Sequence, residues 1–180
     1  MSEKKPTKDE TYWRVLNCAV ELEMTKGHLK WTMTELSRKS KVTRSLVYYY
    51  FGRSKIEIIE AAVSIIGEEF AGLSEKRMKM WEEGRFEESL IEAREFHDKA
   101  PHLCAYYITF RDKKNDVGKS LIKLENTFRR KLKKFMPRAT DEQANTIFAV
   151  YFGMVYAPNV SEKEIKIFMP VMQGLISKLQ

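Results

Sequence analysis

Apolar residues recur along this chain at intervals of three and four, the period of a helix with one buried face. Trp13, Leu16, Val20 and Met24 form the first such stripe. Thr7 and Glu10 precede it as a capping box, in which each side chain satisfies a free backbone N–H at the helix start, and Gly27 offers a stop after Lys26. Thr32 and Glu35 repeat the box and open a short helix through Ser40; Thr43 is a third N-cap, with a helix to Phe51. Ser54 and Glu57 start a fourth helix, expected to run from Lys55 to about Trp81. Beyond Gly84 the period stays helical, with breaks at Pro101, near Asn115, at Pro137 and at Pro158, which gives about five more helices. Thr140 with Gln143 and Ser161 with Glu164 mark the last two starts. The final helix places Ile165, Phe168, Met169, Met172, Leu175, Ile176 and Leu179 on one stripe, and Pro170 is expected to kink it by removing a hydrogen-bond donor. The pattern predicts an all-α protein of about nine helices.

Composition narrows the picture. With 180 residues the chain can bury a core of its own, and only 8 Gly and 5 Pro leave little room for the turns of an all-β fold. Cys18 and Cys104 stand far apart with no CxxC spacing, so neither a disulfide framework nor a zinc site is expected; both read as core residues of a protein in the reducing cytoplasm. Met1 to Glu10 is polar, carries Lys4, Lys5 and Lys8, and has no apolar stretch behind it, unlike a signal peptide. The longest run without charge, Gln143 to Ser161, is interrupted by Asn145, Pro158 and Asn159. Its apolar centre, Ile147 to Ala157, is too short to span a bilayer, so no membrane is expected among the partners.

The net charge is +7. From Lys30 to Lys55 seven basic residues (Lys30, Arg38, Lys39, Lys41, Arg44, Arg53, Lys55) face one acid, Glu35, so one window carries nearly the whole excess and points to an acidic partner. Within it, a helix turning about 100° per residue puts Leu46, Val47, Tyr50 and Phe51 on one side and Arg44, Ser45, Tyr48 and Tyr49 on the other. The second side begins at the helix N-terminus and offers a guanidinium, a hydroxyl and two phenols, groups that donate to phosphate oxygens and base edges. The preceding helix, Met33 to Ser40, ends a few residues earlier, and the pair has the length and tight connection of a helix-turn-helix. Two short core helices with a solvated basic face would give the same spacing.

The segment from Thr32 to Phe51, TMTELSRKSKVTRSLVYYYF, followed by Ser54, Lys55 and a further helix, resembles the DNA-binding domain of the TetR family of regulators. The likeness covers about residues 10 to 65 and rests chiefly on Val42-Thr43, Val47-Tyr48-Tyr49-Tyr50-Phe51 and Lys55, with Val15, Leu16, Ala19 and Gly27 at the family's first helix and its exit. It implies an N-terminal three-helix DNA-binding domain, residues 1–54, and a C-terminal helical ligand-binding and dimerisation domain, residues 55–180. The function implied is that of a ligand-responsive repressor that binds a palindromic operator as a homodimer, with no cofactor. Position by position, the resemblance has Thr43 cap the recognition helix and touch phosphate, Arg44, Ser45 and Tyr49 face base edges, and Tyr48, Tyr50 and Lys55 bind backbone phosphates; Thr32 and Thr34 add phosphate contacts. The helical wheel places Tyr50 beside the core stripe instead. Two departures stand out: Lys41 occupies the turn where the family usually has Gly, and the Gly-Arg-Ser link before Lys55 is one residue longer than the commonest form, which lets Arg53 share the role of Lys55.

In the second half, Ala144 to Ala157 is apolar almost all round, and a helix with no polar face must be covered on every side. With the final helix it is expected to form half of an intersubunit four-helix bundle through Phe148, Phe152, Tyr156, Phe168, Met172 and Leu175; the alternative is the central helix of a monomer. Trp81, Phe96, Tyr106, Tyr107, Phe110, Phe128 and Tyr151 are candidates to line a pocket for a small-molecule effector, although aromatics at helical spacing also make plain core. No catalytic motif is present. Gly118-Lys-Ser lacks the glycine a P-loop needs five positions earlier, and His97 and His102 are separated by Pro101, so the sequence does not read as an enzyme. The alternative reading is a basic helical interaction protein without sequence-specific DNA binding.

Overall fold

The computed structural model describes residues 8–71 and 73–179. They form ten α-helices and no strand: α1 (Lys8–Lys26), α2 (Met33–Ser40), α3 (Arg44–Phe51), α4 (Lys55–Ile65), α5 (Glu75–Glu82), α6 (Phe86–Lys99), α7 (Pro101–Phe110), α8 (Asp116–Phe135), α9 (Asp141–Tyr156) and α10 (Glu162–Leu179), with a π-helical turn, Ile66–Phe70, after α4. No described helix is long and apolar enough to cross a membrane.

Most helix starts are made by the caps the sequence offers. Thr32 and Glu35 form a complete capping box at α2, Thr43, Ser54 and Asn115 cap α3, α4 and α8, and Thr140 with Gln143 boxes α9. Thr7, assigned to the first box, lies outside the described residues. One boundary departs from expectation. The helix from Lys55 stops at Ile65, passes through the π turn, and a separate helix, α5, starts at Glu75 under a cap in which the Ser74 hydroxyl accepts from the Arg77 N–H at 3.2 Å. Arg77 ties this joint together: its guanidinium is 1% exposed, Nη1 donates to the Ser89 carbonyl on α6 and Nη2 to Glu69 in the π turn, 3.1 Å away, whereas Nε has no partner among the described residues. Trp81 Nε1 donates to the Ser89 hydroxyl at 2.9 Å, so one serine of α6 anchors two large side chains of α5.

Helix α1 is the hub, packed against α2, α4 and α7. Val15, Leu16, Ala19 and Val20 are fully buried, and the core they begin continues without a break through Ile58 and Ala62 of α4 to Leu103 and Tyr106 of α7. The packing therefore shows no gap at residues 54 and 55. Cys18 and Cys104 are both free and buried in this core.

Candidate nucleic-acid interface

The α2–α3 connection is closed by the backbone. Lys41 takes the left-handed conformation, φ 54° and ψ 34°, its N–H reaches the Arg38 carbonyl at 3.4 Å, and the Val42 N–H reaches the Ser37 carbonyl at 3.1 Å. These are the paired bonds of a Schellman ending, and the buried Val42 supplies its apolar contact. The Ser37 hydroxyl donates to the Val42 carbonyl at 2.6 Å and locks the turn a third time. A residue with a Cβ thus adopts the conformation usually left to glycine. At the other end of α3, Gly52 sits at φ 71° and ψ −166°, and a Cβ there would meet the Glu57 carboxylate at 2.6 Å, so the exit from α3 requires glycine.

Turned by these two joints, α3 buries Val47 and Phe51 and leaves Thr43, Arg44, Ser45 and Tyr49 exposed; Tyr49 is 79% exposed. Arg44 approaches the Thr34 hydroxyl at 3.5 Å, so the start of α2 and the start of α3 form one surface. Tyr48 is half-buried beneath the Arg53 guanidinium, which lies 5.7 Å from the ring centre. Three placements differ from the sequence expectation, and a fourth, Tyr50, follows the helical wheel and not the resemblance. Leu46, placed with the core by the wheel, is 37% exposed. Tyr50 is held edge-on against Tyr12 of α1, with ring centres 6.3 Å apart, which takes much of its ring out of solvent. Thr32 has its N–H and its hydroxyl both donating to Glu35, at 2.8 and 3.0 Å, so neither donor is free for a phosphate. Lys55 turns back into the fold: its ammonium donates to the Leu29 and Trp31 carbonyls at 2.6 and 2.9 Å and lies over the Trp31 ring. With Lys55 engaged, Arg53 is the exposed cation beyond α3.

The loop that Lys55 holds is anchored from the other side by Glu23, which is fully buried. Its carboxylate accepts from the Leu29 N–H at 3.0 Å and the Trp31 indole at 2.6 Å, and meets His28 Nδ1 at 2.5 Å. Glu35, the single acid of the basic window, is neutralised locally: the hydrogen bond from Lys26, then those within the Thr32 cap, draw its carboxyl down to about 2. Lys39 pairs with Glu21 at 2.8 Å. Lys30, Arg38, Lys41, Arg44 and Arg53 remain exposed with no ion pair among the described residues.

Charge location does not single out this surface as the sequence reading supposed. Residues 56–98 hold 12 acids against 5 bases, whereas residues 99–139 hold 12 bases against 3 acids. The chain total conceals a second basic segment larger than the first, offset by the acidic one between them.

In the second half, Phe148, Phe152 and Tyr156 of α9 are occupied within the chain. Phe148 packs on Phe128 at 5.2 Å, Phe152 on Tyr107 at 5.0 Å, and Tyr156 on His97 at 5.6 Å. Met172 points inward and is 7% exposed, whereas Phe168 is half-buried. The apolar line left open is Ile167, Val171 and Leu175 on α10, exposed by 67%, 57% and 46%; α9 leaves Ala149 and Gly153 exposed. A stripe at intervals of four residues lies on one side of its helix. The aromatics proposed to line a pocket instead fill space. Tyr106 stacks on Phe110, Phe96 packs against Trp13, and Phe128 lies between Trp81 and Tyr151. Trp81 and Tyr151 do border a cavity, of about 30 Å³, room for about one water. A larger space, a groove of about 550 Å³, runs between α4 and the start of α8, walled by Ile56, Ile59, Val63 and Val117.

The chain matches no known protein-family model and no curated protein.

Proposed function

We propose that this chain is a DNA-binding transcription regulator of the TetR type, which binds a palindromic operator as a homodimer. The observation that carries the reading is the free face of α3. A guanidinium, two hydroxyls and a phenol, those of Arg44, Thr43, Ser45 and Tyr49, project from the N-cap and the free side of a helix held at both ends by backbone geometry, with its apolar side buried against α1 and α2. An α-helix presenting such a row fits the major groove of B-DNA. Arg44 suits bidentate contact with guanine, Leu46 suits apolar contact with a thymine methyl, and Thr34, Thr43 and Arg53 suit phosphate oxygens. The Ile167, Val171 and Leu175 line is the surface that a second copy would cover, and the groove between α4 and α8 is the space an effector would occupy. An effector acts there by separating α4, which follows the recognition helix, from the body. Repression is the expected sign.

The test is selection of bound sequences from a random duplex library by the full chain, followed by titration of the best duplex against random DNA. A regulator binds one twofold-symmetric sequence far more tightly than random DNA, with affinity falling steeply as salt rises. Arg44→Ala is expected to relax the preference at one base position in each half-site, a change of about 1–3 kcal/mol, without changing thermal stability. Binding that is weak and indifferent to sequence would favour the interaction-protein reading.

A further inference from the structure

Helix α8 carries a second row of cations on its outer face. Lys123, Arg130 and Lys134 stand at i, i+7 and i+11, which at about 100° per residue directs all three into an arc of about 40°. Lys119, which pairs with Asp116 at 3.1 Å, extends the row one turn toward the N-terminus, for a total length of about 22 Å. Asn126 and Thr127 lie between them. Lys123, Arg130 and Lys134 are exposed and form no ion pair among the described residues; Arg130 only donates to the Thr127 hydroxyl. Lys113 and Lys114, just before α8, are likewise exposed and unpaired among the described residues. The opposite face of the helix is spent on the core, where Leu121, Phe128 and Leu132 are buried.

We infer that this row is a second DNA-binding surface, which contacts duplex phosphates without regard to sequence, separately from α3. Aligned cations spaced along a rigid rod complement a partner whose charge is itself regular, and duplex DNA carries one negative charge per about 1.7 Å. A bilayer surface is the poorer match, because a helix lying on lipid buries an apolar face there, and α8 has spent Leu121, Phe128 and Leu132 on the core and leaves Ile122 as an isolated exposed apolar residue. A second copy of the chain is also the poorer match: among the described residues, acids without an ion pair such as Glu57, Glu60, Glu82 and Glu142 are scattered over α4, α5 and α9, and the acidic row of α6, Glu88, Glu92 and Glu95, is already paired with Arg85, Lys76 and Lys99. On DNA the surface holds the body against flanking duplex and adds counterion release to every binding event.

The experiment measures affinity of the full chain for a random-sequence duplex over a range of salt concentrations. The variants are Lys123→Gln/Arg130→Gln/Lys134→Gln, the charge-keeping Lys123→Arg/Lys134→Arg, and Arg44→Ala/Tyr49→Ala in the head. The triple glutamine variant is expected to lower the slope of log affinity against log salt by about 0.9 per cation lost, about 2–3 in all, with an unchanged melting curve; the arginine variant keeps the slope. Each single glutamine variant is expected to lower it by about 0.9, which keeps the inference testable if the triple variant melts early. An unchanged slope overturns the inference. So does loss confined to phosphatidylserine vesicles, or to self-association in sedimentation. The head variant separates the two ideas: if it leaves sequence preference intact while the triple variant loses slope, the reading of α3 fails and the α8 surface stands.

Discussion

Glu23 has no exposed surface, and yet nothing in the sequence marks it out from Glu21, two positions away on the same helix. Its burial is tolerated because donors surround it: the Leu29 N–H, the Trp31 indole and the His28 ring. Together with Lys55 on the far side, it fixes the loop in which Leu29 adopts φ 55°. Glu23→Ala strands the indole and a backbone N–H away from water. It is expected to cost about 3 kcal/mol or more in a urea melt, with Glu23→Gln losing less because one amide oxygen still accepts. A cost under about 1 kcal/mol would mean that the loop is held by Lys55 alone. The same local detail limits what can be carried over by resemblance. Lys55 matches its motif by position, but its ammonium has two carbonyl partners inside the protein.

The α2–α3 turn shows how an element tolerates an unfavourable residue. A left-handed L-residue costs about 1–2 kcal/mol, and at Lys41 the Schellman bonds and the Ser37 hydroxyl offset that cost. Lys41→Gly relieves the strain but adds chain entropy to the unfolded state, so stability is expected to rise by only about 0.5–1 kcal/mol in thermal denaturation. The α7–α8 contact depends instead on charge. Glu125, 3% exposed, receives Tyr107, Arg111 at 2.5 and 2.9 Å, and Arg129 at 3.3 Å. Burial works to raise its pKa, but the hydrogen bonds from Arg111 and Tyr107 and the two guanidinium charges outweigh it, and the carboxyl is held below its ordinary value. A carboxyl depressed in the folded state contributes stability above its unfolded pKa, about 4.3, and loses it as pH falls through the folded value. Melts between pH 6 and 3 are expected to show this acid-side loss in the native chain and a shallower fall in Glu125→Gln. Gly118 completes the same joint: a Cβ there would meet the Lys113 carbonyl at 2.1 Å, so the glycine of the false P-loop serves close packing.

At the scale of the whole molecule, α10 presents an uncovered apolar edge. Ile167, Val171 and Leu175 form a continuous apolar line on a helix whose other side is buried against the core. If a second copy sits there, the native chain sediments as a dimer at micromolar concentration, and Ile167→Glu/Val171→Glu converts it to a folded monomer with weaker operator binding. A native chain that is monomeric throughout that range would remove the twofold symmetry that the regulator reading needs. The continuity of the core from α1 to α7 bears on regulation as well. Under the proposed function, the packing of α1 against both α7 and α2 is the route by which a shift of α7 would reach the α2–α3 pair.

The sequence by itself determined the elements: their period, their caps and their breaks are local, set by residues within four positions of one another, and nine of the ten helices start or stop where Thr, Ser, Asn, Gly or Pro said they would. It also marked the exposed donors of α3, since Arg44, Ser45 and Tyr49 lie on the free side by spacing alone. The Ser74 cap is local as well, but a single helix from Lys55 to about Trp81 conceals it. Tertiary structure alone decided which face of α9 is covered, that Lys55 and Thr32 spend their donors inside the protein, that Leu46 emerges, and that the aromatics of the body pack solid. Each of these depends on a partner far along the chain, and a side chain's availability is settled by what lies against it, which periodicity does not encode.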